Sequence, residues 1–113
     1  MALALNVFKT VTTVVSTSPV GIYTAPVGYT GVVLLAQVAN IGATSQDITL
    51  SHQRTSAGIA VTTRLAKNFP IAGNDTSNLL SGKLVLESGD VLVLSGSNGT
   101  NLEFVVSILE TLN

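Results

Sequence analysis

Hydrophobic and polar positions alternate with a period of two through residues 79–108, broken by two glycine-containing turns. Leu84 and Leu86 alternate with Val85 and Glu87 before Ser88-Gly89 reverses the chain. Val91 and Val93 then alternate with Leu92 and Leu94, and Asn98-Gly99 reverses it again before Phe104, Val106 and Ile108. Such alternation predicts antiparallel strands. Asn-Gly suits a type I′ hairpin turn, whose central residues both take positive φ. If both turns are two-residue loops, Val93 lies opposite Phe104, Val91 opposite Val106, Leu86 opposite Val91 and Leu84 opposite Val93. The predicted core face then holds Leu84, Leu86, Val91, Val93, Phe104, Val106 and Ile108. The other face, with Lys83, Val85, Leu92, Leu94, Glu103 and Val105, is more apolar than a solvated sheet needs. The same register sets Glu87 against Asp90, a like-charge cost. The alternative is a corner at Gly89, where the chain switches sheets.

The rest of the chain repeats this grammar. Residues 3–16 predict a strand rich in β-branched side chains, with Leu5, Val7, Lys9 and Val11 on one side and Phe8, Thr10, Thr12 and Val14 on the other. Residues 20–24 predict a short strand and 25–28 a type I turn, with Pro26 second and Gly28 fourth. Residues 30–41 are nearly all apolar from Val32 to Ala39, which predicts a strand buried on both faces, inside its own domain or under a neighbouring subunit. Residues 42–45 predict a turn. Residues 46–53 alternate cleanly, with Ile48, Leu50 and His52 on one side. Residues 54–58 predict a polar loop and 59–66 a further strand. Pro70 confines 69–71 to an edge or a connection, and 73–78 predict a turn. About eight short strands without a helical period predict an all-β chain: an antiparallel, jelly-roll-like β-sandwich. Residues 1–113 form one domain in this reading, and 1–18 an N-terminal strand or arm able to reach neighbouring subunits.

Composition adds a second expectation. Charged residues are 10% of the 113, against about 25% in ordinary soluble domains; hydrophobic residues are 46% and mean hydropathy is +0.55. Low charge with surplus apolar residues marks surfaces that assemble. A net charge of −1 gives no electrostatic footprint for nucleic acid. Aromatic residues are 4% with no Trp, which argues against base- and sugar-stacking platforms. The apolar run 32–36 is far shorter than the roughly 20 residues of a membrane-spanning helix, and the apolar residues 1–6 lack the basic start and cleavage site of a signal peptide. Without cysteine there are neither disulfides nor thiolate metal sites.

Catalytic patterns are missing. His52 is the single histidine, with no second His or Cys to complete a ligand set, and is expected to be structural. No G-x-S-x-G elbow, P-loop or dinucleotide fingerprint occurs. The carboxylates Asp47, Asp75, Glu87, Asp90, Glu103 and Glu110 are scattered. Glu87 and Asp90 alone are close, and read as solvated turn residues, whereas acid–base work needs one of a pair desolvated. Asp47, Asp75 and Asn74 offer oxygen ligands for calcium without a loop motif. The acceptor-like triplets at Asn74 and Asn98 are explained by their turns. The expectation is a non-enzyme with no catalytic, cofactor-binding or metal residues and no cofactor.

In Ile22-Tyr23-Thr24-Ala25-Pro26-Val27-Gly28, the apolar strand to Asn40, Ile48-Thr49-Leu50, residues 65–71 (LAKNFPI), residues 82–90 (GKLVLESGD) and the last strand to Glu110, the chain resembles small β-sandwich virion proteins of tailed bacteriophages. The resemblance covers about residues 20–110; the 3–16 strand is less typical. It implies a virion structural protein working as an oligomer, often a homotrimer, beside the major capsid protein or other virion proteins. A capsid decoration or cement protein is the first expectation, and a tail, baseplate or fibre component the second. A receptor- or sugar-binding module, with Tyr23 and Tyr29 lining a shallow site, is the third. No nucleic acid and no membrane are expected as partners.

Overall fold

The computed structural model describes residues 5–113; the first two residues of the 3–16 strand reading lie outside them. The described residues form nine strands: β1 (Asn6–Val14), β2 (Val20–Thr24), β3 (Tyr29–Asn40), β4 (Gln46–Ser56), β5 (Ile59–Ile71), β6 (Thr76–Asn78), β7 (Leu84–Leu86), β8 (Val91–Gly96) and β9 (Leu102–Leu112). One sheet runs β1-β9-β3-β6, with β7 also paired to β3; the other runs β2-β8-β4-β5. All pairings are antiparallel. With β6 and β7 sharing one position beside β3, this is the double-sheet order of a jelly roll. The expected all-β antiparallel sandwich is therefore present. The extra strand, β6, falls where the sequence predicted a turn.

The two predicted hairpins in residues 79–108 do not form. β7 pairs with β3, β8 with β2 and β4, and β9 with β1 and β3. Each connection crosses from one sheet to the other. Gly89, at φ 88°, makes the corner between β7 and β8. At the second reversal neither Asn98 nor Gly99 takes positive φ. There the Asn98 side chain accepts from the Thr100 and Asn101 N–H groups, each at 2.8 Å, which turns the chain without a type I′ loop. The consequence for the core is specific. Leu86, Phe104, Val106 and Ile108 are buried as predicted and Leu84 is half-buried, but on β8 the inward residues are Leu92 and Leu94, with Val91 and Val93 half-buried on the other side.

A true two-residue hairpin lies elsewhere. Ala57 (φ 53°) and Gly58 (φ 80°) join β4 to β5, so the predicted polar loop 54–58 is mostly strand. β5 is an edge strand, which accommodates Pro70.

Inward residues of both sheets form one core, including Val33 and Val38 on β3, Ile48 and Leu50 on β4, and the β8 and β9 residues above. Burying a Leu or Ile side chain fully contributes about 1.5–3 kcal/mol. Asn40 is buried with its polar atoms used: Nδ2 donates to the Thr44 and Ile71 carbonyls at 2.7 and 3.0 Å, and Oδ1 accepts from the Gly42 N–H at 3.0 Å. β3 is not covered on both sides. It bulges between Val33 and Leu35, and its outward residues Val32 and Leu35 are half-buried while Leu34 is 40% exposed.

Candidate functional site

Two features stand out: a buried carboxylate at one corner of the sandwich, and apolar surface that the described residues leave open.

The corner is built where β7 hands over to β8. Gly89 donates its N–H to the Ala25 carbonyl at 2.9 Å and Ala25 returns one to the Asp90 carbonyl at 2.9 Å, so the turn is pinned to the end of β2. Asp90 thereby points inward beneath β4, at 2% exposure. Its Oδ1 accepts from Arg54 Nε at 3.2 Å and its Oδ2 from Arg54 Nη2 at 2.8 Å, a two-point grip. Oδ2 also lies 2.9 Å from His52 Nε2 and accepts the Glu87 N–H at 3.0 Å. His52 and Arg54 are two apart on β4, so they share a face. The Arg54 hydrogen bonds hold the Asp90 carboxyl well below its ordinary value, at about 2, against the upward push of burial, with His52 and the Glu87 N–H assisting. Asp90 is therefore an ionised acceptor, and the His52 nitrogen facing it carries a proton. Glu87 completes the cluster from outside, 3.0 Å from Arg54 Nη2 and 70% exposed.

Glu87 and Asp90, which the sequence presents as a solvated pair, differ in the structure: Glu87 is 70% exposed and Asp90 is buried. Asp90 is desolvated, but its charge is fully engaged, so it is no proton-transfer group at neutral pH. Among the described residues His52 hydrogen-bonds to Asp90 and to no hydroxyl that could serve as a nucleophile. The cluster is a structural clasp between β4 and the β7–β8 corner.

Other candidates are dispersed. Asp75 accepts the Thr76 N–H at 2.8 Å and Asp47 lies on exposed strand; no three His, Cys, Asp or Glu side chains converge for a metal among the described residues. Tyr23 is buried, and its hydroxyl donates to Glu110 at 2.5 Å. Burial first, and then this hydrogen bond, push the phenol far above its ordinary value. Tyr23 is thus a core residue and not a platform for sugar. Lys9 reaches the same carboxylate at 3.5 Å.

The open surface is the outward face of the β1-β9-β3 sheet. Phe8 pairs with Leu109, Leu109 with Val32 and Val32 with Val85, so one row across four strands is apolar, with Phe8 76% and Val85 54% exposed. Farther along the same face lies a depression of about 610 Å³ between Thr12, Val14, Gln37, Glu103 and Val105. Glu103 is the one ionisable side chain among those five. No helix of the described residues is long and apolar enough to cross a membrane.

No family model and no curated protein matches this chain. A solved structure does. A chain of the acidic stable capsid structure of Helicobacter pylori bacteriophage KHP30 superposes with a TM-score of 0.56 over 96% of this chain and 89% of its own, at 12% identity. At that identity the likeness is one of fold.

Proposed function

We propose that this chain is a non-enzymatic structural protein of a bacteriophage virion, a decoration or cement protein that stabilises the head by bridging shell subunits. The whole-length likeness to a chain of a phage capsid structure carries this reading. The low charge and the open apolar row across β1, β9, β3 and β7 support it. In this reading the protein works as a homo-oligomer, a trimer by family resemblance, and contacts the major capsid protein. β1 is built into its own sheet through nine residue pairs with β9. Its role toward neighbours is therefore through its open edge, which can accept a further strand. A protein that binds the assembled shell and not its dissociated parts shifts the equilibrium toward assembly by mass action.

Particles made without this protein test the reading. They should release their contents at lower temperature than complete particles, and adding the purified protein back should restore the difference. A denaturing gel of purified virions should show it in hundreds of copies. Heads of unchanged stability with defective tails or adsorption would move the protein to the tail, baseplate or fibre.

A further inference from the structure

A sheet edge presents backbone N–H and C=O groups that a further strand can pair. Among the described residues four edges bound the two sheets: β1 and the β6–β7 position on one, β2 and β5 on the other. Edges are commonly blunted by short strands, bulges, Pro or charge. β6 and β7 have three residues each. β2 has five, and its register shifts between Gly21 and Tyr23. β5 carries Arg64, Lys67 and Pro70, and its register with β4 shifts twice. β1 is different. Its nine residues keep one unbroken register with β9 and include no Pro or Gly. Its single charge, Lys9, is answered within the subunit by Glu110 at 3.5 Å.

The register fixes which backbone groups of β1 are open. Leu5 accepts from the Leu112 N–H at 2.8 Å, and Val15 donates to the Leu102 carbonyl at 2.9 Å. Both pairs continue the β1–β9 register. Hydrogen-bonded and non-hydrogen-bonded pairs alternate along an antiparallel ladder, so the odd-numbered residues from 5 to 15 bond to β9. Asn6, Phe8, Thr10, Thr12 and Val14 turn their N–H and C=O groups outward, where no described strand takes them. The Val14 carbonyl accepts the Thr13 hydroxyl at 3.1 Å, which leaves it a second lone pair. All five side chains are exposed.

We propose that β1 pairs antiparallel with β1 of a second copy, about a two-fold axis at Thr10. Thr10 is the middle residue of the strand and one of the outward five, so an axis there uses the whole edge. A middle residue bonded to β9 would not allow this. Phe8 then lies opposite Thr12 of the second copy and Asn6 opposite Val14, so every outward N–H and C=O has a partner. Side chains select the same register. Thr10 meets Thr10 and Phe8 meets the β-branched Thr12, pairings that stabilise antiparallel strands. Lys9 falls opposite Val11. An axis at Lys9 would oppose Lys9 to Lys9, a like-charge cost, and leave Val14 over. An axis at Val11 would leave Asn6 over. The match is reciprocal, with the same five residues satisfying both chains, which favours a second copy over a foreign strand. Such an isologous contact closes after two copies. It makes a dimer, or joins two trimers where a three-fold contact also forms. This pairing rests on the homo-oligomer reading above and names the strand that builds it.

Opposite charges at the axis test it. Thr10→Lys and Thr10→Glu change one exposed side chain, and circular dichroism should show both folded. In sedimentation velocity the wild type should be an even-numbered assembly. Each variant alone should associate about tenfold more weakly, because it loses the Thr–Thr pairing and sets like charges at the axis. Mixed in equal amounts, the two should associate as tightly as the wild type. A cysteine at the axis adds a second measurement, in a chain with no other cysteine. Cα atoms of a hydrogen-bonded pair lie about 5.5 Å apart, within disulfide reach. Oxidised Thr10→Cys should therefore run as a covalent dimer, and Asn6→Cys, placed opposite Val14, should not. A wild-type trimer, or an assembly that neither charge weakens, would keep the homo-oligomer reading and overturn the pairing. Variants that weaken but do not complement, or a Thr10→Cys that does not cross-link, would overturn it too. A monomeric wild type would overturn both; if Thr10→Lys then abolished attachment to shells, the edge would belong to a foreign strand.

Discussion

Replacing Asp90 with Asn removes the charge from the corner clasp while leaving its shape. Asp90 titrates at about 2 when folded, against an ordinary value of 3.8, and a shift of that size corresponds to about 2 kcal/mol of stability at neutral pH. Because the folded value is the lower one, this stability is fully present above the unfolded value and is lost as pH falls through the folded one. About half should be gone by pH 3 and most of it by pH 2. Asp90 is 2% exposed, but Arg54, which causes most of the shift, is 44% exposed, so solvent screening trims this contribution to about 1–2 kcal/mol. The Asn amide adds a second cost, since its NH2 group faces the Arg54 or His52 donors where an acceptor is needed. Asp90→Asn should therefore cost about 2–3 kcal/mol at pH 7. Urea melts of both proteins, at one protein concentration and in steps from pH 7 to pH 2, measure the gap. It should narrow below about pH 4 and close nearly to the amide cost. A gap that stays constant over the series, or one below about 0.5 kcal/mol at pH 7, would mean that Arg54 and His52 do not grip a charged Asp90.

On β8 the buried Leu92→Ala should cost about 2–5 kcal/mol and the half-buried Val93→Ala about 1 kcal/mol in the same melts; the reverse order would restore the hairpin register that the structure replaces. Gly73→Ala drives a Cβ into the Ala43 carbonyl, so the two loops must part, and a loss of about 1–3 kcal/mol is expected. Tyr23→Phe strips a hydrogen bond from the buried Glu110 and should cost about 1–3 kcal/mol at pH 7. Because folding raises the Tyr23 value, the wild type should lose stability as pH rises above about 10, and an alkaline melt of Tyr23→Phe should lack that loss.

How far the sequence reaches is clearest on the last three strands. Leu86, Phe104, Val106 and Ile108 stand out because each strand sets apolar side chains against at least one polar neighbour. In β8 the run Val-Leu-Val-Leu is apolar on both sides, so alternation alone cannot say which side is inward. Val91 and Val93 face inward only if neighbours in sequence are also neighbours in a sheet. In a jelly roll they are not, and the switch is written in the connections: a positive φ at Gly89 and an Asn98 side chain that turns the chain by itself. The hairpin at Ala57-Gly58 was hidden for a related reason, since Ala gives no local sign of accepting positive φ. The clasp was out of reach of any local pattern, because Asp90 meets His52 and Arg54 across 38 and 36 residues.

Surplus hydrophobicity was the part of the candidate site that composition did disclose. A sandwich covers only the inner faces of its sheets, so a chain with 46% hydrophobic and 10% charged residues must leave apolar side chains outside. Composition cannot say where. The fold collects them in a row across β1, β9, β3 and β7 and near the tip of the β4–β5 hairpin, where Ile59 is 67% and Val61 57% exposed. Scattered exposed apolar residues are ordinary on any protein surface. Four in register across adjacent strands, the outer two of them exposed and the inner two half-buried, are not scattered. None of the four belongs to the buried core of the subunit, so substitutions there test the proposed role apart from folding. Asp90 does the opposite: buried at the corner and holding His52 and Arg54 of β4, it serves the fold of the subunit. Weakening the clasp should therefore lower the stability of the subunit, whereas Phe8→Asp, on an exposed side chain outside the core, should leave it nearly unchanged.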